Sequence, residues 1–357
     1  LYLYGEVGGF LAHKKGYKLD VKNVDLPPLT DVVLKLRKMF DNNLFQKLYV
    51  GSPNPVHYRK VIVENSYPYL IVHYCLDKCF VEKIDIETGR VIEKIYVDEK
   101  LVGDILIGNK YIITHRSIEI EGKYYREIKV YQKSTGLKIR EYKLDYDYKV
   151  IGLYNDYLYL CFIENGIKIV KFDFINNVMT ELFSDIGIDV LDYSYMIDKN
   201  YLYLAYSISG YIIMVKIDLS NETIVYKTSN SSNYYNLREM FRHLNYIALA
   251  VWETIEEGPI HMYLFNIANG ALVYDIYLGF NVSITNTNLR FSITRDIPYI
   301  IVYTIAPDIL DYWVYDDVTG ELITKSRITL PKDYSVLGSY NWHIYVYYAS
   351  YIEDIYF

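Results

Sequence analysis

Cysteine is nearly absent from this chain, with three in 357 residues. So few cannot staple a disulfide-dense scaffold. Cys75 and Cys79 flank Leu76-Asp77-Lys78, a candidate hairpin tip, so the pair reads either as a local disulfide or as two reduced thiols. Without more cysteines or nearby ligands, their spacing is a poor zinc signature. Cys161 lies in an apolar run and reads as a small core residue. Tryptophan is equally scarce, at three. Positive charge is in deficit: 37 Lys and Arg stand against 44 Asp and Glu, for a net charge of -7. That balance argues against nucleic acid or an anionic membrane surface as a partner. No apolar run approaches the length of a membrane span. The opening LYLYGEVGGFLAHKK starts with Leu1 and lacks the basic-then-apolar layout of an export signal, as in a processed secreted or virion protein or in a fragment.

Catalytic signatures are also missing. There is no G-x-S-x-G, no H-E-x-x-H, no phosphate-cradling glycine loop and no paired C-x-x-C. The expectation leans away from an enzyme and includes no cofactor or metal. His73 and His115 hold equivalent places in adjacent repeats, but a metal site needs a third ligand that the sequence does not supply. They read as packed, hydrogen-bonded histidines.

What the chain has in abundance is tyrosine, 43 residues. Tyrosine favours strands and can keep its polar tip in water from a half-buried position. Much of it leads a repeated phrase. Tyr69-Leu70-Ile71-Val72-His73 is echoed from Tyr111, Tyr157, Tyr201, Tyr246, Tyr299 and His343, at steps of 42 to 53 residues by subtraction. A fixed period of that size marks a repeat architecture. About 20 to 25 residues after each leader comes a strand–turn–strand phrase. Its copies are KIDIETGRVIEK (83–94), VYQKSTGLKIRE (130–141), KFDFINNVMTEL (171–182), KIDLSNETIVYK (216–227), LFNIANGALVYD (264–275) and VYDDVTGELITK (314–325). Gly89, Gly136, Asn177, Gly270 and Gly320 suit a positive φ at the turn, and in the fourth copy Asn221 is expected to take that role. A further apolar stretch precedes each leader, giving four strands per repeat, A to D, with the leader in B.

Four antiparallel strands repeated seven times predict an all-β, seven-bladed β-propeller of four-stranded blades. The expected blades are 58–98, 99–145, 146–186, 187–230, 231–280, 281–330 and 331–357. The chain stops before the seventh repeat has a strand D, while residues 1–19 read like a C–D hairpin around Gly9. Both termini are therefore expected to close the last blade, with Gly9 to Lys15 pairing in the sheet of His343 to Tyr347. Residues 20–57 form an insertion. Within it, Thr30, Asp31 and the apolar Val32, Val33, Leu36 and Phe40 predict a short helix near 30–41, as a lid or a partner face.

The repeats resemble those of the quinoprotein-dehydrogenase-like and YVTN-type propellers, in which a D-x-x-T-G hairpin recurs in each blade. The resemblance covers residues 58 to 357, with its clearest copies at Asp85 to Gly89 and Asp316 to Gly320. It implies a fold rather than a function. Quinone-binding members carry a tryptophan near that turn, and Trp252, Trp313 and Trp342 all lie elsewhere. The resemblance therefore implies no quinone cofactor.

The B–C connections supply the candidate ligand face: Trp252, Glu253 and Glu256, then Asp308, Asp311 and Trp313. Carboxylates with aromatics there suit a sugar or a cation, while solvated loops are the plainer alternative. Asn221, Asn230 and Asn281 each open a glycosylation sequon. These features lead to a non-enzymatic binding or assembly module on a cell or virion surface, with a protein or glycan partner. The tyrosine-rich, cysteine-poor composition points to a thermophilic archaeal system. The alternatives are a glycan-acting hydrolase or lyase with its site on the loop face, and an intracellular, cytoplasmic scaffold.

Overall fold

All seven leaders fall in strands, and each leader strand lies between an A and a C strand. The computed structural model describes residues 2–3, 10–11, 36–38, 57–64, 67–75, 79–85, 91–234, 236–252, 257–283, 289–292, 297–306, 309–329, 334–340, 343–348 and 351–356. Among them are seven four-stranded antiparallel sheets in A-B-C-D order and a two-stranded ladder of Tyr2–Leu3 with Phe10–Leu11. Sheets one to six span 57–97, 104–145, 149–186, 192–231, 236–283 and 289–329, and sheet seven is built on 334–356. The all-β propeller expectation holds. The chain divides into two compact units, Ser52–Thr285 with sheets one to five and Leu1–Gly51 with Asn286–Phe357.

The predicted helix is corrected. Leu36–Lys38, inside the expected 30–41 helix, is a strand, and it pairs antiparallel with Tyr351–Tyr356 as the fourth strand of sheet seven. The N-terminal part of the chain does complete the last sheet, but through Leu36–Lys38. Phe10–Leu11, inside the stretch expected to do so, pairs with Tyr2–Leu3 instead. A strand of only three residues carries too little alternation to stand out from a helical face of Val32, Val33, Leu36 and Phe40. Val32, Val33 and Phe40 lie outside the described residues.

In the five-sheet unit, neighbouring sheets pack face to face through the B and C strands. Ile113, Ile128 and Val130 of sheet two meet Leu158, Leu160 and Phe172 of sheet three, all fully or almost fully buried. Tyr203, Ala205 and Met214 of sheet four meet Leu249, Val251 and Tyr263 of sheet five. Each such aliphatic side chain contributes about 1.5–3 kcal/mol on burial. The D strands are the exposed ones, as the alternating exposure of Thr223–Ser231 shows. An exposed edge invites unwanted strand pairing. Here each C–D pair of sheets one to six carries a register shift, for example between Lys216 and Ile217. Such bulges bend the edge away from a flat template.

The K-x-D phrase and the leading tyrosine explain one another. Lys83, Lys171 and Lys216 place their ammonium groups 4.1, 3.8 and 4.0 Å from the ring centroids of Tyr69, Tyr157 and Tyr201, the leaders of their own sheets. The aspartate two residues on shapes the hairpin. Asp173 Oδ1 accepts from the amides of Ile175 and Asn176, Asp218 Oδ1 from Ser220 and Asn221, and Asp316 Oδ1 from Val318 and Thr319. At the turn, Gly136, Asn177, Gly270 and Gly320 have positive φ as expected. In the fourth hairpin the positive φ falls on Glu222, at 56°, and not on Asn221. That conformation costs a non-glycine residue about 1–2 kcal/mol. The Glu222 side chain forms an ion pair with Lys171 of the preceding sheet. Gly89 lies outside the described residues.

These hairpins also tie successive sheets together. Asp98 N–H of the link after sheet one donates to Gly136 O, and Tyr142 of sheet two donates to Phe174 O. Tyr154 of sheet three shares a hydrogen bond with Ser220 of hairpin four. Lys216 of sheet four donates to Ile267 O of hairpin five. Two glycines are required by this closeness: a Cβ on Gly136 would lie 2.2 Å from Tyr96 O, and one on Gly270 would lie 2.3 Å from the Tyr226 ring.

Two outcomes follow. Removing residues 1–38 deletes the fourth strand of sheet seven, whereas removing 1–15 does not. The longer deletion should melt a few degrees lower than the shorter one, since a ladder bond contributes about 1 kcal/mol and that shifts Tm by roughly 2–4 °C in a chain of this class. Equal melting by circular dichroism would refute the strand assignment. Amide hydrogen bonds, chiefly from Asn176, Ser220 and Thr319, hold the Asp173, Asp218 and Asp316 carboxyls below their usual range. Their contribution is present above the unfolded pKa of about 3.9 and is lost as pH falls through the lower folded values. A triple Asp→Asn variant keeps the turns but not this titration, so its Tm should fall less steeply than wild type below about pH 4. Parallel slopes would count against this account.

Candidate functional site: the B–C end of the fifth sheet

The residues expected to form a ligand face divide between the two units. Trp252 ends strand B of sheet five. Asp311 and Trp313 lie in strand C of sheet six, Ile309–Asp316. Glu253, Glu256 and Asp308 lie outside the described residues. Asp311 is not an open carboxylate: the Arg327 guanidinium holds it through two bonds, Nε at 2.6 Å and Nη2 at 2.8 Å. Trp313 sits half-buried in register with Val302 and Lys325.

Around Trp252 the local sequence builds something more specific. Strand A of sheet five, Asn236–His243, pairs Asn236 with Trp252 and Leu237 with Val251, then slips between Leu237 and Met240. The slip takes Arg238 out of the ladder. Its side chain is exposed and its guanidinium carbon lies 4.5 Å from the Trp252 ring centroid. Trp252 itself is 5 % exposed, and its indole Nε1 is buried with no hydrogen-bond acceptor among the described residues. From sheet four, Ser194 donates its hydroxyl to Arg238 O at 3.2 Å. Asp192 accepts from Tyr193 N at 2.8 Å and also from the Leu237 amide. Burial raises the Asp192 pKa despite these amide bonds and the nearby positive charge of Arg238. Asp192 thus staples strand A of sheet five to that of sheet four.

On the opposite face of sheet five, toward sheet four, stands His261. Its Nδ1 lies 2.6 Å from Asp275 Oδ1. The Tyr234, Tyr277 and Tyr263 rings surround it, with centroids 4.3, 5.4 and 6.3 Å away. Ser232 shares a hydrogen bond with Tyr263 OH at 3.1 Å and receives one from Tyr234 N at 3.0 Å, fixing the link between sheets four and five. Arg238 and His261 were not singled out from sequence. The readable signal for Arg238 is the charged Arg238-Glu239 pair in an otherwise apolar A stretch.

The remaining candidates fall as follows. His73 is fully buried and its Nε2 accepts from Leu101 N at 3.3 Å, which anchors the link into sheet two. Among the described residues no group of His, Cys, Asp and Glu is arranged for a metal ion. Cys79 is disulfide-bonded, and its register partner across the hairpin is Cys75. Cys161 is free and buried, and burial pushes its thiol up to about 12. Asn221 is exposed in hairpin four. Asn230 is half-buried, donating Nδ2 to Gly270 O at 3.1 Å and accepting from Leu272 N at 2.8 Å. Asn281 lies in strand D of sheet five.

No protein-family model matches the chain, and no curated protein matches its sequence. Solved structures do match. Hsv2 from Kluyveromyces lactis aligns with a TM-score of 0.50 and 14% identity, over 82% of this chain and 90% of that one. The β-propeller domain of Cps50 (Swd1) from Myceliophteria thermophila aligns at 0.48 and 12%, over 86% and 98%. BamB from Moraxella catarrhalis aligns at 0.44 and 14%, over 83% of each chain. At such identities a likeness bears on architecture alone, and the match to Hsv2, with the sheet order, shows that the chain has a β-propeller fold.

Proposed function

We propose that this propeller is a non-enzymatic binding or assembly module whose partner, a protein, docks at the B–C ends of sheets four and five. The observation that carries this reading is the surface there. Tyr211 opens strand C of sheet four at 47% exposure, Tyr277 faces solvent opposite His261 at 53%, and the exposed Arg238 stacks on Trp252. Tyrosine, tryptophan and arginine are the residues enriched at protein interfaces, because they offer large, stiff, amphipathic contacts. The C–D hairpins of sheets two to five are engaged by the preceding sheets, whereas the Tyr211, Tyr277 and Arg238 side chains are exposed.

We further place the module outside the cell or on a virion, from a thermophilic archaeal source. The sequons and the bonded Cys79 favour an oxidising compartment. Asn221 is the sequon with an exposed asparagine, so glycan found on the native protein by intact mass should map there.

The docking surface can be tested in the native host with a photo-crosslinking amino acid. Placed at Tyr211 or Tyr277 it should capture a discrete partner. Placed at Val178, exposed at the hairpin end of sheet three, it should not. Capture at Val178 alone, or at none of the three, would contradict the proposal.

A further inference from the structure

Two hydrogen-bond donors at the proposed docking end meet no acceptor among the described residues. One is the buried Trp252 Nε1–H. The other is the exposed Arg238 guanidinium, which makes no ion pair or hydrogen bond among the described residues and lies over the same indole, 4.5 Å from its centroid. A buried, unpaired N–H costs about 1–3 kcal/mol, so an acceptor brought to this indole would be favoured. We infer that Arg238 and Trp252 form a recognition site for a single carboxylate on an acidic peptide segment of the docking partner.

The chemistry narrows the ligand in steps. Arginine and indole nitrogen can only donate, so the ligand must accept. A guanidinium stacked on an aromatic ring is held in one plane and weakly hydrated, and its forked N–H groups match a carboxylate. Asp192 lies close enough to Arg238 to feel its charge, yet makes no ion pair with it among the described residues. Two charges concentrated on one group, as in a phosphate dianion, would be repelled by Asp192 more than single carboxylates spaced along a peptide. A peptide also brings a backbone carbonyl beside its carboxylate, which suits the second donor. This inference rests on the binding-module reading and adds the ligand class.

The test uses the whole protein with ¹⁵N-labelled tryptophan, whose indole spectrum contains three signals because the chain has three tryptophans. The Trp252→Phe variant assigns the relevant one. The probes are acetylated, amidated tetraglutamate, the matching tetraglutamine, tetragalacturonate and inorganic phosphate. Tetraglutamate should shift the Trp252 signal and tetraglutamine should not. Arg238→Gln should weaken tetraglutamate binding about tenfold or more, the scale of a lost charge-assisted bond, and Arg238→Lys should recover only part of it. Arg238 is exposed, so both variants are expected to fold, with unchanged melting as the control. Equal tetraglutamate binding by wild type and Arg238→Gln would overturn the site. Tighter binding of tetragalacturonate or phosphate would overturn the choice of a peptide carboxylate. If Arg238→Gln keeps photo-capture at Tyr277 intact, the carboxylate site fails while the docking surface stands.

Discussion

The constraint on which the five-sheet unit depends is the tie between each of its sheets and the hairpin of the next. A four-stranded sheet covered on both faces is stable only beside its neighbours. Apolar packing supplies most of the energy but little direction, because aliphatic faces slide. The directional part comes from the hairpins. Asn230 uses both ends of its amide, to Gly270 O and from Leu272 N, as a backbone strand would. Thr228 adds a hydroxyl bond to Asn269 O, and Lys216 reaches Ile267 O from its seat over Tyr201. Burial lowers the Lys216 pKa, the mark of an ammonium drawn out of water to serve this contact.

That division of labour has a consequence for function. The C–D ends of the sheets are committed to holding the array together, and the A–B turns are tight, as Asn155 and Asp156 show with positive φ at both central positions. At the B–C end of sheet five, Asp192 and Ser194 of sheet four hold the backbone of strand A in place, while its register slip releases the Arg238 side chain. The same end bears the exposed Tyr211 and Tyr277. A partner arriving there meets residues positioned by a rigid frame.

The sequence made the fold readable because period, tyrosine leaders and hairpin aspartates all answer to one repeated geometry. Each copy repeats the same contacts, so noise in one is corrected by the others. It failed where no repetition helps. Leu36–Lys38 pairs with Tyr351–Tyr356 across almost the whole chain, and nothing local distinguishes three extended residues from a helical face. Glu222 adopts the positive φ of its hairpin while pairing with Lys171 in another sheet, a contact no local reading shows. Of the site, Trp252 was legible as an aromatic in a connection, but Arg238 depends on a register slip, and Asp311 on a cross-strand arginine that closes it off. Sequons are equally blind to context: Asn230 satisfies the motif while its amide is engaged by hairpin five.

The tie between sheets is most directly tested at the Leu272 amide, whose bond to Asn230 crosses from one sheet to the next. Hydrogen exchange of the Asn230→Ala protein, read by mass spectrometry, isolates that bond. If hairpins hold the array, exchange should become several-fold faster across 266–272 while sheet two, 104–145, stays at the wild-type rate. Unchanged exchange at 266–272 would show that apolar packing alone sets the register between sheets and would contradict this account.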